Sequence, residues 1–71
     1  MSQYITVIVR KNGRGEPGYR VKAYGGPELR TDSSGKATVE ASGSTVSIYV
    51  NGRTVYDGSA YRCDNPLIVD I

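Results

Sequence analysis

The chain of 71 residues has no histidine, no tryptophan, no phenylalanine and a single cysteine, Cys63. Each absence removes a chemistry. Without an imidazole there is no Ser-His-Asp or Cys-His nucleophile device. A structural zinc site takes about four nitrogen or sulfur ligands, and one thiol is the whole supply. A lone cysteine closes no intramolecular disulfide. No run approaches the roughly 18 apolar residues that a membrane-crossing helix needs, so no membrane partner is expected. Seven carboxylates remain for acid–base work: Glu16, Glu28, Asp32, Glu40, Asp57, Asp64 and Asp70. Nothing in their spacing pairs two of them, and a domain of this size offers little wall for a water-excluding pocket. The expectation is a protein that is not an enzyme, with no catalytic residues, no cofactor and no metal.

What is present points to one folded domain. Hydrophobic residues make up 38% of the chain and charged residues 23%, which is too apolar for disorder. The net charge of +2 is unevenly spread. Residues 1–36 carry seven basic and three acidic side chains, a balance of +4; residues 37–71 carry two and four, a balance of −2. The opening MSQYITVIVRK lacks the basic region and cleavage site of a signal peptide. A complete chain would accordingly be cytoplasmic, and a piece of a larger secreted protein would be at the surface or outside. One unpaired cysteine fits a reducing compartment better than an oxidising one.

The apolar pattern has a period of two almost throughout. Ile5, Val7 and Val9 alternate with Tyr4, Thr6, Ile8 and Arg10. Tyr19, Val21 and Ala23 alternate with Arg20, Lys22 and Tyr24. Ala37, Val39 and Ala41 do the same over residues 36–41, and Val46, Ile48 and Val50 over residues 45–50. Such β-branched alternation is the signature of half-buried strands. Asn51-Gly52 between two alternating runs is a hairpin signal, because a type I′ turn needs positive φ at both central residues. Residues 53–57 return as its partner strand. A short extended piece falls near Leu29–Thr31. The 60–66 stretch is irregular, and Leu67, Val69 and Ile71 line one side of a last strand.

Turn chemistry divides these runs. Asp32 in the TDSSG segment caps its own backbone, and Gly35 takes positive φ without steric cost. The NGRGEPG segment at 12–18 is a turn or loop. Residues 6–14 match residues 45–53 at five of nine positions, which reads as two strand–turn units converging on one turn chemistry. Six or seven short strands about ten residues apart predict an all-β fold, a small antiparallel β-sandwich or barrel. With no phenylalanine or tryptophan, tyrosines must supply the large contacts, their hydroxyls near the wet rim. Stability should be modest, or aided by a partner or a second copy.

The segment from Ile5 to about Tyr61 resembles the carboxypeptidase regulatory-like domains. The matching pieces are Val7 and Val9; Gly15, Pro17 and Gly18; Val21; Thr31, Asp32 and Gly35; Ala37 and Val39; then Gly43, Val46, Ile48, Val50 and Gly52. The resemblance implies a transthyretin-like (prealbumin-like), Ig-like β-sandwich and, by analogy, a structural or interaction role. Ala37 stands where that family often has an aromatic residue.

Candidate binding residues follow from the alternation. Tyr4, Tyr24, Tyr49 and Tyr56 fall opposite the aliphatic residues of their own strands. With Arg10, Arg20 and Lys22 they are candidates for contacting a partner. Ordinary cross-strand stabilisation is the competing role for these tyrosines. If the first two strands pair, Arg10, Lys11, Arg14, Arg20 and Lys22 form one basic patch. The expected function is a non-catalytic structural or protein-binding module presenting a sheet face or edge strand to another protein, or to itself as a homodimer. The alternatives are weak single-stranded nucleic-acid binding through a basic, tyrosine-bearing face, and carbohydrate binding, which the lack of tryptophan disfavours. Asp32 with its serines lacks the carboxylates and distal Glu of a calcium loop. Cys63 is read first as a small buried or inert thiol; a thiol pKa lowered by the neighbouring Arg62 is the competing state.

Overall fold

A computed structural model describes residues 2–71. Eight strands follow in order: β1 (Ser2–Lys11), β2 (Arg14–Gly15), β3 (Arg20–Ala23), β4 (Glu28–Arg30), β5 (Lys36–Ser42), β6 (Thr45–Val50), β7 (Arg53–Ser59) and β8 (Leu67–Asp70). They make two four-stranded sheets that face each other as a β-sandwich. In one sheet β1 is the hub, pairing with β2, β5 and β8. The other sheet runs β4-β3-β6-β7. The strand count exceeds the expected six or seven because two-residue β2 is too short to leave a periodic trace, while β4 is the short extended piece expected near Leu29–Thr31.

One pair departs from the antiparallel expectation: β8 lies parallel to β1, with Val7 opposite Leu67 and Arg10 opposite Asp70. A parallel pair needs a crossover in place of a tight hairpin, and the irregular 60–66 stretch supplies it. Asn65 starts the pairing with its side chain. Its amide nitrogen donates to the Tyr4 carbonyl at 3.0 Å, and its oxygen accepts from the Thr6 N–H at 3.1 Å. The side-chain amide thus stands in for a peptide group along the edge of β1.

Alternation fills the space between the sheets as the sequence predicts. Ile5, Val7 and Val9 of β1, Val21 and Ala23 of β3, Ala37, Val39 and Ala41 of β5, and Val46, Ile48 and Val50 of β6 are all buried in one cluster. Tyr19, Leu29, Val55, Tyr56, Leu67 and Val69 pack around its rim. Ile71, expected beside Leu67 and Val69, is about half exposed because β8 ends one residue earlier.

Both Asn-Gly pairs adopt the same turn. Asn12 and Gly13 have φ of 54° and 78°, and Asn51 and Gly52 have 51° and 84°. Positive φ at two consecutive residues is the type I′ requirement, and it matches the twist of the flanking strands. The internal similarity at residues 6–14 and 45–53 is therefore two hairpins using one turn.

β7 contains a bulge. Tyr49 faces Thr54 and Ile48 faces Tyr56, so Val55 is the extra residue. A bulge re-phases everything beyond it. Tyr56 is thereby turned onto the side of Ile48 and packs against the core. The expectation that Tyr56 lies opposite the aliphatic residues is corrected on this point.

The segment Thr31–Gly35 joins β4 of one sheet to β5 of the other, and hydrogen bonds fix it on all sides. The buried Thr31 hydroxyl donates to the Glu16 carbonyl at 2.6 Å and accepts from the Tyr19 N–H at 3.0 Å. Asp32 Oδ1 accepts from the Ser34 N–H at 2.8 Å and the Lys36 N–H at 3.1 Å. Those two bonds hold its carboxyl below the usual aspartate range. Gly35 has φ of 80° and is wedged against the backbone of β1 and β2. A Cβ there would lie 2.5 Å from the Val9 carbonyl oxygen and 2.7 Å from the Glu16 nitrogen.

Two outcomes are expected. Gly35→Ala should destabilise by about 3 kcal/mol or more, from unfavourable φ plus backbone collision. Gly13→Ala, with positive φ but open space, should cost only about 1 kcal/mol; urea unfolding of both variants measures the difference. Asp32 has a lowered folded-state pKa, so its contribution is present above the unfolded value of about 3.9 and is lost as pH falls through the folded value. Asp32→Asn should unfold at lower urea than the parent at neutral pH, and the gap should close progressively below about pH 4.

Candidate functional site

The outer face of the β4-β3-β6-β7 sheet collects residues from β3, β4, β6 and the turn after β6. On β3, Val21 and Ala23 point inward, so Arg20 and Lys22 point out. Lys22 sits in register with Glu28 of β4 on one side and Tyr49 of β6 on the other. Tyr24 follows β3, and its N–H donates to the Ser47 carbonyl at 2.9 Å. The Asn51-Gly52 turn is tied to β3 by two bonds at Arg20. The Arg20 N–H donates to Asn51 Oδ1 at 3.0 Å, and the Asn51 N–H donates to the Arg20 carbonyl at 2.8 Å.

Arg20, Lys22, Tyr24, Glu28, Tyr49 and Gly52 line a groove of about 340 Å³ on this face. Tyr24 is 80% exposed and stands as a ridge. Tyr24 also borders a second groove of about 390 Å³ that spans the two sheets, lined by Glu40 and Ser42 of β5 and by Thr45 and Ser47 of β6. Arg20 Nε is 3.9 Å from Glu28 Oε1, with both side chains about half exposed. That separation is longer than the roughly 2.7–2.9 Å of a charge-assisted hydrogen bond, so the guanidinium is only loosely held.

Four of the seven nominated residues thus meet in one place: Arg20, Lys22, Tyr24 and Tyr49. Tyr4 and Arg10 belong to β1 and hence to the other sheet. Tyr4 is exposed opposite Glu40. Arg10 Nε donates to Asp70 Oδ1 at 3.2 Å. The single basic patch expected from pairing the first two alternating strands does not form, because β1 and β3 lie in different sheets.

Tyr56 is the remaining nominee, and it serves the fold. Its hydroxyl donates to the Ser59 carbonyl at 2.6 Å. Burial first, then Cys63 once it ionises at alkaline pH and the Asp64 carboxylate, raise its phenol above the ordinary tyrosine range. Cys63 is buried, and its thiol lies 3.4 Å from the Asp64 carbonyl oxygen as donor. Burial first, and Asp64 second, push the thiol pKa up, in line with the expected buried thiol and against the competing state lowered by Arg62. Glu28 and Gly52 were not nominated from sequence. Gly52 was legible only as a turn residue, and no local pattern places Glu28 beside Lys22. The carboxylate of Asp32 is taken up by its own turn. Among the described residues, no group of three or more His, Cys, Asp or Glu could hold a metal ion.

No protein-family model, no curated protein and no solved structure matches the chain.

The tyrosines should separate by truncation. Tyr56→Ala removes a ring from the core rim and a part-buried hydrogen bond, and is expected to lower the thermal midpoint by roughly 10 °C or more. Tyr24→Ala removes an exposed ring and should leave the midpoint within about 3 °C. Circular dichroism melts of the two variants check this.

Proposed function

We propose that the protein is a non-catalytic binding module that presents the outer face of the β4-β3-β6-β7 sheet to another protein. The observation that carries this reading is the groove in which Arg20, Lys22, Tyr24 and Tyr49 converge. Tyrosine and arginine are over-represented at protein interfaces, because they combine large contact area with polar tips. The groove is built on β3 and β6, the two inner strands of the sheet, so each is held on both edges. A surface on such strands is presented with little loss of conformational freedom on binding.

Three of the seven carboxylates are engaged within the fold. Asp32 caps a turn, Asp70 accepts from Arg10, and Asp57 accepts from the Ser47 hydroxyl at 2.9 Å. The resemblance to carboxypeptidase regulatory-like domains belongs with this proposal. Its Thr31-Asp32-x-x-Gly35 motif is spent on the joint between the sheets, which leaves the sheet face free. Single-stranded nucleic acid is the weaker reading, since two cations and one carboxylate leave one net positive charge in the groove, too little for a chain with a phosphate at every residue.

A photoreactive phenylalanine analogue at position 24 tests the proposal, with the same group at exposed Tyr4 and Tyr61 for comparison. Position 24 should cross-link in cells to a protein, either a distinct one or a second copy of the chain. Positions 4 and 61 should give little. Equal cross-linking from all three positions, or none from position 24, overturns the assignment of this face.

A further inference from the structure

Resting on the reading of this face as a protein-binding surface, we propose that the groove receives an acidic side chain of an extended partner segment. Arg20 and Lys22 are the carboxylate receptors and Tyr24 is the ridge over which the segment runs.

Charge supports this first. The groove lining holds two cations and one carboxylate, so one positive charge is left over. Arg30 of β4 stands directly opposite Arg20 in register. Like charges at paired positions of a sheet repel, and an added anion relieves them. The contrast with the other sheet is direct. There Arg10 meets Asp70 at 3.2 Å, whereas Arg20 meets Glu28 only at 3.9 Å. Among the described residues Lys22 makes no salt bridge. On the outer face of the β4-β3-β6-β7 sheet, Arg20 and Lys22 therefore hold unused cationic hydrogen-bonding capacity within a groove that two tyrosines also line.

The surroundings make that capacity selective. Tyr49 is half-buried beside Lys22 in register, and exposed Tyr24 follows two residues further along the chain from Lys22. The half-buried Tyr49 ring covers part of the surface beside Lys22, and partial desolvation strengthens a cation–carboxylate contact there. Tyr24 is shared by both grooves. An extended peptide returns side chains to the same side about every 7 Å, so one segment can place successive side chains on either side of the ridge. The second groove is lined by Glu40 and hydroxyl side chains, with no cation. That asymmetry sets the direction: the acidic residue goes to Arg20 and Lys22, and an uncharged or donor residue goes beyond Tyr24. A polyphosphate chain would meet Glu28 and Glu40 along the same path.

The test is an NMR titration of the labelled full chain with three short threonine–valine peptides differing only in a central glutamate, glutamine or lysine. Oligothymidylate and an oligouronate form two further arms. The glutamate peptide is expected to shift the amides of Lys22, Tyr49 and Gly52 and to bind about tenfold tighter than the glutamine peptide. Lys22→Glu, an exposed change that keeps a dispersed spectrum, should abolish that preference and admit the lysine peptide. Equal binding of glutamate and glutamine peptides in the groove overturns the acidic specificity and leaves the protein-binding face standing. Shifts from oligothymidylate or oligouronate with none from any peptide overturn both. Silence from every probe overturns the acidic groove, and the cross-linking comparison then decides the face separately.

Discussion

The seam between the two sheets is filled by side chains no larger than isoleucine, four of them the alanines Ala23, Ala37, Ala41 and Ala60. Packing at interior density requires that volumes match the gap, and a tyrosine ring does not fit a gap set by alanine and valine. The aromatic residues are therefore displaced. Tyr19 and Tyr56 cover the rim of the seam, while Tyr4 and Tyr24 stand in solvent and Tyr49 lies half-covered on the outer sheet surface. The candidate surface is thus a product of the core. The same alternation that sends Val21 and Ala23 inward sends Arg20 and Lys22 to the outer side with the displaced rings.

The joint at Thr31–Gly35 converts this layered packing into a fixed relation between strands. It is where the chain leaves β4 of one sheet and enters β5 of the other. Glycine is required there because two backbones cross without room for a Cβ. Thr31 ties the same point to the 16–19 loop that leads into β3. The register of β3 with β4, and with it the placement of Glu28 beside Lys22 and Arg20, is anchored by the joint at its end.

Features decided by nearest neighbours in the chain were legible in the sequence. Strand identity, inward residues and both Asn-Gly turns follow from local periodicity and backbone preference. Features decided by distant pairing were not. Arg10 and Arg20 occupy equivalent places in similar alternating strands, yet one is neutralised by Asp70 and the other lines a groove. What separates them is sheet membership, which no local pattern encodes. Tyr56 was misplaced because one extra residue in β7 reverses the alternation. Glu28 was missed because a three-residue strand gives no periodic signal. The chemistry of Thr31, Asp32 and Gly35 was half visible: the turn was read, but its service as a joint depends on β1 and β2 lying against it.

The parallel pairing of β8 with β1 has a mechanical side. β1 begins at Ser2, pairing there with Ser42, and reaches β8 only at Val7 to Arg10; β8 runs the same way and finishes opposite Arg10. The two strands therefore leave the molecule in opposite directions. A pull applied through them acts along the strand axes, so the rungs from Val7–Leu67 to Arg10–Asp70, with the Asn65 bonds and the Arg10 ion pair, are strained in concert. Shearing of that kind resists tension more than peeling a hairpin open rung by rung.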